Sequence, residues 1–205
     1  MDTNTATTSV PRIAVIVGST RPHRRARLVA DWVQENAEQH LLGRAKVEIV
    51  DLAEYDLPLL DEPVPAAIGT YAMPHTRRWA EQIATYDGFV FVTPEYNHSF
   101  PAALKNAVDF LFSEWNDKAA GFVSYGLHGG VRAAEHLRLT LAEVKIACVR
   151  SQVALSLFTD FDLPDIQQPG RLTPAPHHDE ILARMLDEVA DWSEALGALR
   201  SGRRP

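Results

Sequence analysis

The stretch Arg12-Ile13-Ala14-Val15-Ile16-Val17-Gly18-Ser19-Thr20-Arg21-Pro22-His23-Arg24-Arg25-Ala26-Arg27 decides how this chain folds. Its first half is an unbroken apolar run closed by Gly18 and too short for a helix. Such a run reads as a strand buried on both faces, the mark of a parallel sheet. The second half opens directly into a helix, from about Arg24 to Gln39, where Leu28, Val29, Trp32, Val33 and Ala37 recur at helical spacing. Between them lies a loop of hydroxylated and basic residues at a helix start. Backbone N–H groups there attract anions, and hydroxyl and guanidinium groups strengthen the attraction. Ser19 and Thr20 offer hydroxyls, while Arg21 and Arg24, joined by Arg25, offer charge for a phosphate monoester, which carries roughly −1.5 to −2. Cations at a helix N-terminus oppose its dipole and want an anion. Arg27 and His23 are expected to face solvent or a second copy of the chain. The dinucleotide fingerprint G-x-G-x-x-G and the triphosphate loop G-x-x-x-x-G-K-[ST] are both absent here.

Outward from this unit, strands and helices alternate. Strands are expected at Lys46–Leu52, Gly88–Thr93, Ala119–Tyr125 and Ile146–Ala154. Helices are expected from about His75 to Tyr86, Ala102 to Trp115, Val131 to Val144 and His178 to Leu199. Pro58, Pro63, Pro65 and Pro74 mark one irregular connection, and Pro164, Pro169, Pro174 and Pro176 another. Pro101 fits the first turn of its helix, with Ser99 a candidate N-cap. This alternation calls for a parallel sheet with helices on both faces, a three-layer α/β sandwich. Ligands then bind beyond the carboxyl ends of the strands, where the strand order reverses. Strands one, three and four are followed by loops rich in Gly, Ser, Pro or Asn; two and five are not. That distribution suits a flavodoxin-like order of 2-1-3-4-5, with the switch point between strands one and three.

The loop after strand three is Pro94-Glu95-Tyr96-Asn97-His98-Ser99-Phe100-Pro101, continuing as Ala102-Ala103-Leu104-Lys105-Asn106-Ala107-Val108-Asp109. Rigid proline, an aromatic ring and exposed polar groups are what a planar heterocycle needs around it. After strand four comes Ser124-Tyr125-Gly126-Leu127-His128-Gly129-Gly130-Val131-Arg132.

In these segments the chain closely resembles the NADPH-dependent FMN reductase family, through G-S-x-R after the first strand and P-E-Y-N-x-S-x-P-x-x-L-K-N-A-x-D after the third. The likeness runs on through Leu155-Ser156-Leu157-Phe158 and the last helix. It implies that Ser19, Arg21 and the turn Arg24-Arg25-Ala26 hold the phosphate of FMN. It further implies that Pro94, Glu95, Tyr96 and Asn97 line the isoalloxazine, while Ser124, Tyr125 and Gly126 reach its pyrimidine edge. Arg24-Arg25-Ala26 departs from relatives, which often place Ser or Asn there. The implied activity passes hydride from NADPH or NADH to bound FMN, and then electrons to a flavin, quinone, azo, nitro or similar acceptor. A homodimer or homotetramer is implied, and a monooxygenase receiving reduced flavin is one partner the resemblance allows. A flavodoxin-like electron carrier that oxidises no nicotinamide, and a regulatory domain that has lost FMN, are the alternatives.

The hard chemistry would belong to the flavin, so no catalytic side chain is expected. Nor is a metal set evident: His177-His178 reads as a cap or surface pair, whereas His98 and His128 sit in the flavin loops. Lys105, Asn106 and Asp109 read as structural, and Trp32, Trp79, Trp115 and Trp192 as packing residues on helices. Cys148, the one cysteine, reads as a buried thiol. With 46% apolar and 23% charged residues the chain has ample material for one domain, set at 11–199, between a disordered segment 1–10 and a basic flexible tail 200–205. A net charge of −7 argues against a nucleic-acid binder. The expected location is the cytoplasm, because no signal sequence or membrane span is read.

Overall fold

A computed structural model describes residues 10–202. The expectations for residues 1–9 and 203–205 lie outside the described residues. Apolar runs without alternation become strands buried on both sides: β1 (Arg12–Val17), β3 (Gly88–Pro94) and β4 (Lys118–Gly126) are inaccessible along almost their whole lengths. With β2 (Lys46–Asp51) and β5 (Ile146–Ser156) they form a parallel sheet of order β2-β1-β3-β4-β5, the flavodoxin-like order.

Helices α1 (Ala26–His40) and α5 (Pro176–Arg200) cover one face of the sheet. Helices α2 (Pro74–Ala84), α3 (Ala102–Asp109) and α4 (Val131–Glu143) cover the other. The first face is filled by aliphatic side chains such as Val15, Val29, Val90 and Leu186. On the second, Trp79, Phe89, Phe91, Trp115 and Phe122 pack as a chain of aromatic contacts. No described helix is long and apolar enough to cross a membrane.

Register places the site. Val17 pairs with Asp51 on one side and Val92 on the other, so the loops after β1, β2 and β3 leave the sheet at one level. Thr93 pairs with Ser124, and Gly126 with Ser156, bringing the loops after β4 and β5 to the same rim.

Several expectations change. Helix α3 stops at Asp109 instead of reaching Trp115, which sits in a turn. The Trp115 indole N–H donates to the Val108 carbonyl at 3.2 Å, and Asn116 Nδ2 donates to Phe112 O, so side chains satisfy carbonyls that a longer helix would have used. Ser99 caps no helix, because Pro101, with φ −59°, takes the N-cap position of α3. His178 is neither cap nor surface residue: it is buried, its Nε2 3.1 Å from Asp160 Oδ1. The connection before α5 carries a short hairpin, β6 (Phe161–Asp162) with β7 (Arg171–Leu172), too brief to show as periodicity. Cys148 is only partly buried, although burial still pushes its thiol up to about 11. Arg200, placed by sequence at the start of the tail, is the last residue of α5, ion-paired with Asp87.

Candidate functional site

The loop after β1 leaves the sheet through a close backbone approach. Gly18 N–H donates to Val92 O at 2.9 Å, and a Cβ on Gly18 would lie 2.8 Å from that same oxygen. Only glycine fits this crossing. Ser19 follows, fully buried, and its Oγ lies 2.8 Å from the Tyr96 hydroxyl. The same Oγ accepts the Arg21 N–H at 3.4 Å. Thr20 and Arg21 are exposed.

Helix α1 begins without a side-chain cap and without an acidic residue in its first turn; Arg25 is its N-cap. Its N-terminal dipole therefore faces cations. Arg24 forms an ion pair with the buried carboxylate of Asp51 at the end of β2. Arg25 Nη2 donates to Ile166 O and to Gln168 O, each at 3.0 Å. The Nε atoms of both arginines are buried without a hydrogen-bond partner among the described residues. Two orphaned guanidinium donors beside an uncapped helix start are the complement of an anion.

The loop after β3 turns sharply. Tyr96 and Ser99 exchange backbone hydrogen bonds of 2.8 and 3.1 Å, with Asn97 (φ 48°) and His98 (φ 76°) at the corners. Both corners are left-handed, as a two-residue hairpin of the primed type requires, and Asn tolerates this well. Pro94 is buried, whereas Asn97 and His98 are exposed. Glu95 N–H donates to Tyr125 O at 3.1 Å, tying this loop to β4. The Glu95 carboxylate pairs with Arg132 in the first turn of α4 through Oε1, while its Oε2 is buried without a partner among the described residues.

Of the residues expected at the ring edge, Ser124 is buried, its hydroxyl donating to Gly129 O at 2.7 Å, so it shapes its own loop. Tyr125 points to the α1 face and packs on Phe161 with ring centroids 5.9 Å apart. Burial pushes its phenol pKa up and nearby Tyr96 adds to this, while Arg25, the Ala26 N–H and Arg24 pull it down. Its hydroxyl thus lies near the start of α1. Gly126 is buried against the Glu95 side, where a Cβ would lie 3.4 Å from Glu95 Cβ and 3.3 Å from the Gly130 nitrogen.

The structure thus brings Ser19, Tyr96, Arg24, Arg25, Ala26 and Tyr125 together, with Glu95 and Gly126 alongside. Sequence reasoning gave no site role to Asp51, Arg132 or the 166–168 carbonyls. Arg132 stood within the quoted glycine-rich segment, which was its only signal. A cavity of about 310 Å³ also lies behind Thr20, between Leu52–Leu57 and the α3 residues Ala103, Asn106 and Ala107.

This is a flavodoxin-like frame: an uncapped, arginine-rich helix start, a tight aromatic loop beside it and a glycine-rich turn across from them. Residues 11–160 match the family described as NADPH-dependent FMN reductase, and the chain belongs to that family. It is 40% identical over 162 residues to an NAD(P)H-dependent FMN reductase of Schizosaccharomyces pombe, covering 78% of this chain and 80% of that protein. It is 35% identical over 193 residues to a quinone reductase of Pseudomonas putida, covering 88% and 93%. Its fold matches the solved flavoenzyme NAD(P)H:(acceptor) oxidoreductase FerB of Paracoccus denitrificans, with TM-score 0.69, 23% identity and coverage of 91% and 98%. The cofactor of the family is FMN and its co-substrate a reduced nicotinamide, and the residues present fit FMN through the orphaned donors at the α1 start.

Proposed function

We propose that the chain seats FMN with its phosphate on Ser19, Arg21, Arg24, Arg25 and Ala26, and its ring along Pro94, Glu95, Tyr96 and Asn97. Gly126 and the backbone around Ser124 and Tyr125 close the far edge. One observation carries this reading: buried, unpartnered Nε atoms on Arg24 and Arg25 at an uncapped helix start. FMN held by these residues would supply the redox chemistry between a reduced nicotinamide, NADPH or NADH, and an acceptor. The protein's part is binding and orientation. The Ser19–Tyr96 contact fixes the phosphate loop against the ring loop, and the Glu95–Arg132 pair fixes the ring loop against α4.

The acceptor in this reading is a small planar molecule, a quinone or free flavin, with azo and nitro compounds in the same class. The quinone reductase among the relatives favours a quinone. Leu127 and Phe158, 58% and 74% exposed on the rim beside Gly126, offer such a molecule an apolar edge. We place the enzyme in the cytoplasm as a homodimer or homotetramer; Leu139, 76% exposed on α4, gives a second copy apolar surface to cover. A diffusible acceptor is preferred here to a dedicated monooxygenase.

The test is an anaerobic mixture of the FMN-loaded protein with NADPH and, separately, NADH. Bleaching of the flavin absorbance by either, followed by recovery on adding a benzoquinone, is expected. A yellow protein that neither nucleotide bleaches would make the chain an electron carrier instead.

A further inference from the structure

The end of β2 carries a carboxylate in an unusual place. Asp51 is 3% exposed and lies beside Val17 in the sheet register, one residue before the phosphate loop begins. Its Oδ1 accepts the Ala53 N–H at 3.1 Å and so caps the short 3-10 turn Leu52–Glu54. Its Oδ2 accepts from Arg24 Nη2. A carboxylate next to an anion seat is a cost unless it does something for that seat.

What it does follows from the chemistry of Arg24. A free arginine side chain samples many rotamers, and fixing it on a ligand costs conformational entropy. Asp51 holds one end of the guanidinium, through Nη2, before any ligand arrives. The other end keeps Nε buried and unpartnered. Neutralising one charge by Asp51 still leaves Arg21 and Arg25 to match a phosphate monoester of roughly −1.5 to −2.

We propose that Asp51 is a positioning residue: by anchoring Arg24 it makes the site select a phosphorylated flavin over the unphosphorylated one. The inference rests on the phosphate seat described above.

The test is flavin-fluorescence titration of the full chain, freed of flavin, with FMN and with riboflavin. The proteins are the native chain, Asp51→Asn, Arg24→Leu and the double variant, with Arg21→Ala alongside. Asp51→Asn is expected to weaken FMN about tenfold and leave riboflavin unchanged. Arg24→Leu should do the same, and the double variant should be no worse than Arg24→Leu alone. Equal losses for FMN and riboflavin in Asp51→Asn would mean a purely structural carboxylate and overturn the proposal. Tighter FMN binding in Asp51→Asn, or additive losses in the double variant, would overturn it too. If Asp51→Asn does not fold, Arg24→Leu, at a partly exposed side chain, decides: an unchanged FMN-to-riboflavin ratio overturns the proposal. A native chain that binds both flavins alike, with Arg21→Ala neutral, would bring down the phosphate seat itself. Selectivity that depends on Arg21 but not on Asp51 or Arg24 would bring down only this inference.

Discussion

Ser19 Oγ and the Tyr96 hydroxyl lie 2.8 Å apart, joining loops that are 77 residues apart in the chain. The contact links the loop assigned to the phosphate to the loop assigned to the ring. Tyr96→Phe removes it and leaves the buried Ser19 hydroxyl with a weaker set of partners. Such a loss costs about 1 kcal/mol of stability. Chemical denaturation should show that decrease, and FMN titration a several-fold weaker affinity with riboflavin affected in proportion.

Gly18 tests the crossing beneath that link. In Gly18→Ala the new methyl would meet Val92 O at 2.8 Å and Leu104 Cδ2 at 2.9 Å. Leu104 can turn aside, but Val92 O is fixed by its bond from Gly18 N–H. Overpacking of this kind costs roughly 1–3 kcal/mol. Thermal unfolding should show a lowered midpoint, together with poorer FMN retention on gel filtration.

How far these features were legible in the sequence depends on how locally each was written. β1, β3 and β4 were plain, because strands buried on both faces leave unbroken apolar runs. The loop Gly18–Ala26 was legible as an arginine-rich helix start, because its charges oppose a helix dipole that the periodicity had already located. The end of α3 was not, since Phe110, Leu111 and Trp115 carry helix-like apolar spacing while the chain is turned by a side-chain bond from Trp115 to Val108 O. Asp51, Arg132 and the Asp160–His178 pair escaped notice because their partners come from distant segments. Tyr125 was assigned to the ring edge by resemblance, yet strand alternation sends its side chain to the α1 face, beside Ala26.

Arg132 and Glu95 form a pair whose halves are unequal in burial, with side chains 38% and 12% exposed. Arg132→Ala strands the more buried carboxylate, which destabilises more than the pair itself is worth. Loss of stability and weaker FMN binding are expected. Adding Glu95→Gln should restore much of the stability, because no uncompensated charge then remains. A double-mutant cycle by denaturation measures the recovery.

Lys118 sits at the opposite end of the sheet, 4% exposed, with Nζ donating to Ile83 O at 2.8 Å near the end of α2. Burial pushes its pKa down to about 8, with Arg200 adding to the effect, against an ordinary value of 10.5. Between these values the unfolded chain binds more protons than the folded one, so this residue makes stability rise with pH over that window. Below it the penalty for the buried charge is fully present. Lys118→Met should therefore gain most, relative to the native chain, near neutral pH. That relative gain should shrink as pH rises through the window, as read by denaturant unfolding at several pH values.

The proposed activity depends on an FMN phosphate seated at the start of α1. The most direct measurement is the FMN dissociation constant of Arg21→Ala beside that of the native chain, with thermal unfolding to confirm that the fold is kept. Arg21 is exposed and makes no ion pair with any described residue, so its loss should leave the fold intact. Removing one charge-assisted phosphate contact should weaken FMN by roughly 10-fold or more. An unchanged FMN affinity in a folded Arg21→Ala protein would contradict the account.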